Sequence, residues 1–121
     1  MKKLIFTAAV SFFFVLGQAQ VKPINKAIIK TPSIQCDMCK ERIELNLSRS
    51  EGVKTVKVDV KKKTTTVSWY TDRTNIENIK TTIANLGYDA EDIEADESAY
   101  KKLPKCCKKP VEVPKPSEKT N

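Results

Sequence analysis

The sequence predicts an α+β domain: one four-stranded antiparallel sheet with two helices packed on one of its faces. Three observations carry that prediction. Apolar residues alternate with polar ones over 56–60 and again over 65–69, the period-two pattern of half-buried strands. They recur at helical spacing over 76–86, the pattern of an amphipathic helix. The elements follow the order strand, helix, strand, strand, helix, strand, which is two split βαβ halves sharing one sheet.

Ala27 to Thr31 is rich in β-branched residues and reads as the first strand. Pro32 ends or bulges it, because proline donates no ladder hydrogen bond. From Cys39 to Ser50 the pattern is helical, with Ile43 and Leu47 on one face and Lys40, Glu41, Arg42, Glu44 and Arg49 mostly solvated. Gly52 is a natural helix stop. Val56, Val58 and Val60 then form the second strand, Lys61-Lys62-Lys63 a solvated turn, and Thr65, Val67 and Trp69 the return strand of a hairpin. Thr74 and Glu77 have the spacing of a capping box, in which hydroxyl and carboxylate satisfy two orphan amides at a helix start. Ile76, Ile79, Ile83 and Leu86 make one apolar stripe on that helix, and Gly87 closes it. Tyr88 to Glu94 reads as the fourth strand, acidic on its exposed side. A domain of about 70 residues buries only a modest core, so metal binding or oxidation shifts its stability noticeably.

Both ends of the chain differ from this middle. Met1-Lys2-Lys3 is a short basic start, Leu4 to Leu16 is nearly all apolar, and Gly17-Gln18-Ala19 places small residues where a signal peptidase reads. The expectation is a cleaved leader over 1–19, too short in its apolar run to span a bilayer, followed by a linker over 20–25. No cysteine stands at the cleavage point, which argues against a lipid anchor. The mature chain is expected to be exported, periplasmic or extracellular, and not an integral membrane protein. The domain proper spans 26–94. Beyond it, 95–121 is a basic, Pro- and Lys-rich tail around the pair Cys106-Cys107, expected to lack structure.

The net charge of +7 belongs to these ends. Residues 25–94 carry twelve Lys or Arg against eleven Asp or Glu, whereas 95–121 carry seven Lys against four acids. An exported, nearly neutral domain does not fit a nucleic-acid partner. The basic tail suits solubility, or attraction to an anionic membrane surface or acidic partner.

The chemistry concentrates at Cys36-Asp37-Met38-Cys39, two thiols three residues apart between the first strand and the first helix, in a chain without histidine. On such a path the first sulfur sits on the loop and the second on the first helical turn. Both then lie near the positive end of the helix dipole, which favours thiolate. Two thiolates alone suit soft ions of low coordination, Cu(I) foremost and Hg(II) next. Zn(II) or Cd(II) needs further ligands, for which Asp37, Cys106 and Cys107 are the candidates. The same thiols can instead close as a disulfide, which an oxidising exterior favours. Adjacent Cys106 and Cys107 bridge each other only under strain. They could complete the metal site, bridge to Cys36 or Cys39, form a separate weak site on the tail, or stand as exposed thiols without a role. Met38 reads as solvated and Trp69 as core. Tyr88 reads as a core aromatic packing under the second helix.

Residues 26–94 resemble the heavy-metal-associated domain family, the small copper-chaperone, periplasmic mercury-binding and metal-ATPase N-terminal modules. The resemblance rests on the CxxC at the end of the first strand, on Glu51-Gly52-Val53 opening the second strand, and on Leu86-Gly87-Tyr88 before the fourth. It implies a ferredoxin-like βαββαβ fold, Cys36 and Cys39 as metal ligands, and Tyr88 beside the site as a residue that tunes it. Where the family usually carries Gly-Met-Thr before the first cysteine, this chain has Ser33-Ile34-Gln35, and Ile34 can fill the core as the methionine does.

The first reading is therefore a carrier rather than an enzyme. Cys36 and Cys39 hold Cu(I), with Hg(II), Zn(II) or Cd(II) as variants, and pass it by ligand exchange to a metal-transporting ATPase or another metalloprotein. Two such loops could share an ion in a metal-bridged homodimer. A second reading is a thiol-disulfide protein using the same CxxC, with Cys106 and Cys107 as resolving thiols. A thioredoxin-like site needs a proline facing the disulfide, and none occurs between Pro32 and Pro104. A third is an interaction domain in which the cysteines form stable disulfides.

Overall fold

The computed structural model describes residues 23–109. The expected leader, residues 20–22 of the expected linker, and the tail beyond 109 lie outside the described residues. Strands β1 (Ile24–Lys30), β2 (Val53–Asp59) and β3 (Thr64–Tyr70) form one antiparallel sheet in the order β1-β3-β2. Helix α1 (Asp37–Ser48) connects β1 to β2, and α2 (Ile76–Asn85) follows β3. A five-residue helix α3 (Glu97–Lys101) and a 3-10 turn over Lys105–Cys107 complete the described chain. None of these helices is long and apolar enough to cross a membrane.

The core forms where the alternating strand residues meet the helical stripes. Ile29, Val58, Val67 and Trp69 are buried against Ile43 and Leu47 of α1 and Ile79 and Ile83 of α2. Ile34 is fully buried with them, as expected for its place before the cysteine loop. Ile28, on the opposite face of β1, is exposed. The carboxylate of Glu44 accepts a hydrogen bond from the Val58 backbone at 2.9 Å, which ties α1 to β2.

Three expectations need correction. The second helix is not capped by Thr74. The Thr74 amide still donates to the Tyr70 carbonyl in the turn after β3, so the helix starts one residue later. Asn75 is its N-cap, accepting from the Asn78 amide at 2.9 Å. Glu77 pairs with Lys80 instead.

A second correction concerns the sheet, which has three strands among the described residues rather than four. Tyr88 to Glu94 folds on itself: Ala90 and Ile93 exchange backbone hydrogen bonds across a tight turn in which Glu91 is left-handed, at φ 53. The acidic side chains explain the departure. Lys80 holds Asp92 at 2.9 Å and Glu91 at 3.5 Å, drawing the segment toward α2 and away from the edge of β1. A single bond remains, from the Glu91 amide to the Lys30 carbonyl at 2.8 Å. An acidic stretch poor in β-branched residues has little strand preference to oppose that pull.

The part of the tail expected to lack structure is also ordered over 97–107. Asp96 caps α3 by accepting from the Ala99 amide at 2.8 Å, and its own amide donates to the Ala84 carbonyl at the end of α2. Leu103 and Cys107 join the core. Gly87, at φ 98, makes room for the approach: a Cβ there would stand 3.0 Å from the Ala99 carbonyl carbon and the Tyr100 nitrogen.

Candidate metal centre

The loop after β1 is held rigidly up to the first cysteine. The Thr31 and Thr65 hydroxyls bond to each other at 3.1 Å in the interior, and the Ser33 hydroxyl accepts from the Asp89 amide at 2.8 Å. Cys36 then serves as the N-cap of α1 in an extended conformation (φ −149, ψ 171), and its side chain makes no capping bond. Its sulfur is left free for other partners. Cys39 lies in the first turn, its amide donating to the Cys36 carbonyl at 3.1 Å. It starts the buried stripe that Ile43 and Leu47 continue. One sulfur therefore faces the loop and one the core, and the two stand 3.4 Å apart.

The tail brings two more sulfurs to the same place. Cys106 Sγ lies 2.9 Å from Cys36 Sγ and Cys107 Sγ lies 3.8 Å from it. Cys106 and Cys107 are 4.0 Å apart, and Met38 Sδ, on an exposed side chain, is 3.9 Å from Cys106. All four cysteines carry free thiols. Cys36, Cys106 and Cys107 form the one cluster among the described residues in which three potential metal donors lie mutually close. Asp37 is not a member of that cluster.

These contacts set the protonation of the cluster. Burial works to raise the Cys36 thiol, but hydrogen bonding with Cys106, with the Cys39 backbone and thiol, and with Cys107 outweighs it and brings the pKa down to about 7. The reverse holds on the tail. The hydrogen bond to Cys36 pushes Cys106 up, and burial, then Cys39, pushes Cys107 well above an ordinary thiol. Cys36 thus forms a thiolate more readily than an ordinary thiol, stabilised by its neighbours. Thiolate is the form that binds metal.

Tyr88 is fully buried in the core. Its hydroxyl has no hydrogen-bond partner. Burial, followed by the nearby Cys107 and Cys39 sulfurs, raises its pKa far above an ordinary phenol. Tyr88 is at once a core aromatic and a neighbour of the sulfurs, carrying a proton it can donate to them. Trp69 is core, as expected.

The heavy-metal-associated domain profile matches residues 28–89, about half of the chain. The chain belongs to the heavy-metal-associated domain family. The copper chaperone CopZ of Staphylococcus haemolyticus is 32% identical over 68 residues, covering 56% of this chain and 98% of that one. A copper-exporting P-type ATPase of the same organism is 32% identical over 74 residues, 61% of this chain. That match spans only 9% of the ATPase. Among solved structures, oxidized MerP from Ralstonia metallidurans CH34 superposes with a TM-score of 0.55 at 20% identity, covering 57% of this chain and 96% of that one. At such identity the likeness is one of fold, and it places the α+β arrangement of sheet and helices within the ferredoxin-like class. The family match ends at residue 89, so α3 and the turn carrying Cys106 and Cys107 lie beyond it.

The anchors of the tail carried no signal of chemistry in the sequence. Lys109 Nζ pairs with Asp89 at 2.7 Å, and the Lys109 amide donates to the Tyr100 hydroxyl at 2.8 Å. Leu103 between Lys102 and Pro104 was the only hint: an apolar residue in a basic run has reason to be there only if something buries it.

Proposed function

We propose that this chain is an exported carrier of soft metal ions, binding Cu(I) between the thiolates of Cys36 and Cys39 and passing it by ligand exchange to a transporting ATPase or another metalloprotein. The approach of the two sulfurs to 3.4 Å on the first turn of α1, with Cys36 ionising at about 7, carries this reading. The donors fit the ion: soft sulfur ligands, no histidine, and a low coordination number that Cu(I) accepts. Family membership and the copper-handling names of the relatives support copper, and the likeness of fold to a mercury-bound MerP, a periplasmic protein of a bacterial mercury detoxification system, keeps Hg(II) as the nearest variant. Export rests on the leader-like residues 1–19. No residue set for catalysis is needed, because exchange of one thiolate for another moves the ion without changing its charge.

Native mass spectrometry of the reduced chain, loaded anaerobically with copper, zinc and mercury in competition, tests it. The expected result is one Cu(I) retained against a chelator and lost in Cys36→Ser. Full retention in that variant would remove Cys36 from the site. No metal retained, with a mass four protons lighter after aerobic isolation, would support a thiol-disulfide protein instead. A mass beginning at Gln20 in protein recovered from an exporting cell checks the leader.

A further inference from the structure

Cys36 belongs to two sets of sulfurs, the loop pair with Cys39 and a second set with the tail. We infer that Cys36, Cys106 and Cys107 form a three-thiolate site for a soft metal ion, in which the tail caps the cargo within the molecule. This closure presupposes that Cys36 carries such an ion, as proposed above.

Sulfur spacing distinguishes the two sets. At a thiolate–metal length of about 2.3 Å, the value for zinc, two sulfurs around one ion stand about 4.6 Å apart in a line and about 4.0 Å apart in a triangle. Cys106–Cys107 at 4.0 Å and Cys36–Cys107 at 3.8 Å already have the triangular spacing. Only Cys36–Cys106, at 2.9 Å, must open, and Cys106 is the exposed, least constrained member. The loop pair at 3.4 Å falls about 1.2 Å short of the linear spacing, so its one distance must change, whereas two of the three distances in the tail set need not.

The second observation is Tyr88. A fully buried hydroxyl without a partner is costly, and the Tyr88 hydroxyl is one, in the same core cluster as Cys107 and Cys39. A thiolate at Cys107 supplies the missing acceptor, and the phenol offsets part of the charge gathered there. The tail is also built to stay. Leu103 in the core, the Asp96 cap, the Lys109–Asp89 pair and the room left by Gly87 hold it on the domain.

Closure is an exchange of bonds without electron transfer. The bond from the ion to Cys39 breaks, bonds to Cys106 and Cys107 form, their two protons go to water, and Cys39 takes one back. The tail then fills the position an incoming thiolate needs, so hand-off requires the tail to be displaced. The molecule retains its ion until a thiol-bearing acceptor competes with Cys106 and Cys107.

Cu K-edge X-ray absorption on the full chain, reduced, anaerobic and loaded with one equivalent of Cu(I), tests the closure. Three sulfurs around copper are expected in the parent chain and in Cys39→Ser. Two are expected in a Cys106→Ser/Cys107→Ser double variant, with retention against a Cu(I) chelator lowered by about tenfold or more, because an intramolecular ligand acts at high effective concentration. Cys107 is buried, so exposed Cys106→Ser alone, with an unchanged circular dichroism spectrum, provides the second variant and should also lose one sulfur. Two sulfurs in the parent chain, with retention unchanged in both tail variants, would overturn the closure and leave the soft-metal reading standing. No Cu(I) bound by the parent chain would overturn the soft-metal reading itself.

Discussion

The two cysteine pairs of this protein reach one point by opposite routes. Cys36 and Cys39 are separated by two residues across a helix start, so helical geometry alone turns both sulfurs to the same side, 3.4 Å apart. Cys106 and Cys107 are adjacent, and their sulfurs stand 4.0 Å apart. Neighbouring cysteines meet each other poorly, so the tail pair works by being carried to a third sulfur. Each pair nevertheless contains one buried and one more accessible thiol: Cys39 and Cys107 are buried, Cys36 is half-buried and Cys106 exposed. The loop pair is made by local structure and the tail pair by docking. The first should therefore survive damage to the tail, and the second should not.

The largest expected effect is on the shared sulfur. Cys36→Ser removes a member of both sets and should abolish Cu(I) retention, whereas Cys39→Ser should keep part of it. Equal loss in the two variants, read by chelator competition, would mean that the tail pair contributes nothing.

Next in size is the anchor. Leu103 is 4% exposed and joins the core, so Leu103→Ala should cost about 2–4 kcal/mol of docking. Denaturant unfolding together with Cys106 labelling reads it. The tail thiols should label much faster, while the Cys36–Cys39 pair keeps its reactivity. A loss below about 0.5 kcal/mol would be that of a surface substitution and would mean the tail is not part of the core.

The pH dependence of labelling separates the pairs by ionisation. In the reduced, metal-free chain, alkylation of Cys36 should rise with a midpoint at about 7 instead of 9.0. The sign follows from the lowered pKa. The thiolate is present above the midpoint and lost as pH falls through it, and the stability it contributes is complete above 9.0 and lost in the same direction. Cys106→Ala removes the hydrogen-bond partner that lowers the Cys36 pKa most and should move the midpoint upward. An unmoved midpoint would break the link between the pairs.

The smallest effect lies away from the sulfurs. Asn75→Ala should cost about 1 kcal/mol through loss of the α2 cap, and Thr74→Ala clearly less, by thermal unfolding. The reverse order would restore the capping box to Thr74.

Local patterns were legible in the chain because they depend on near neighbours. Val56, Val58 and Val60 facing Thr65, Val67 and Trp69 in a hairpin, the stripe from Ile76 to Leu86, and the CxxC at a strand–helix junction all follow from period and spacing. The boundaries shifted where a neighbour outcompeted the local signal, as when Tyr70 took the Thr74 amide and left Asn75 to cap the helix. Residues 88–94 show the same contest on a larger scale. They read as a fourth strand, but Lys80 of α2 pairs with Glu91 and Asp92.

By itself, then, the sequence determined the antiparallel hairpin, the two main helices, the core side of each and the pairing of Cys36 with Cys39. Those features arise from the fixed repeat of helix and strand and from burial of one face. Only the tertiary structure decided that the sheet stops at three strands, that α3 and Leu103 dock beside Gly87, and that Cys106 and Cys107 arrive at Cys36. These depend on ion pairs and packing between residues far apart in the chain, whose partners no local period can specify.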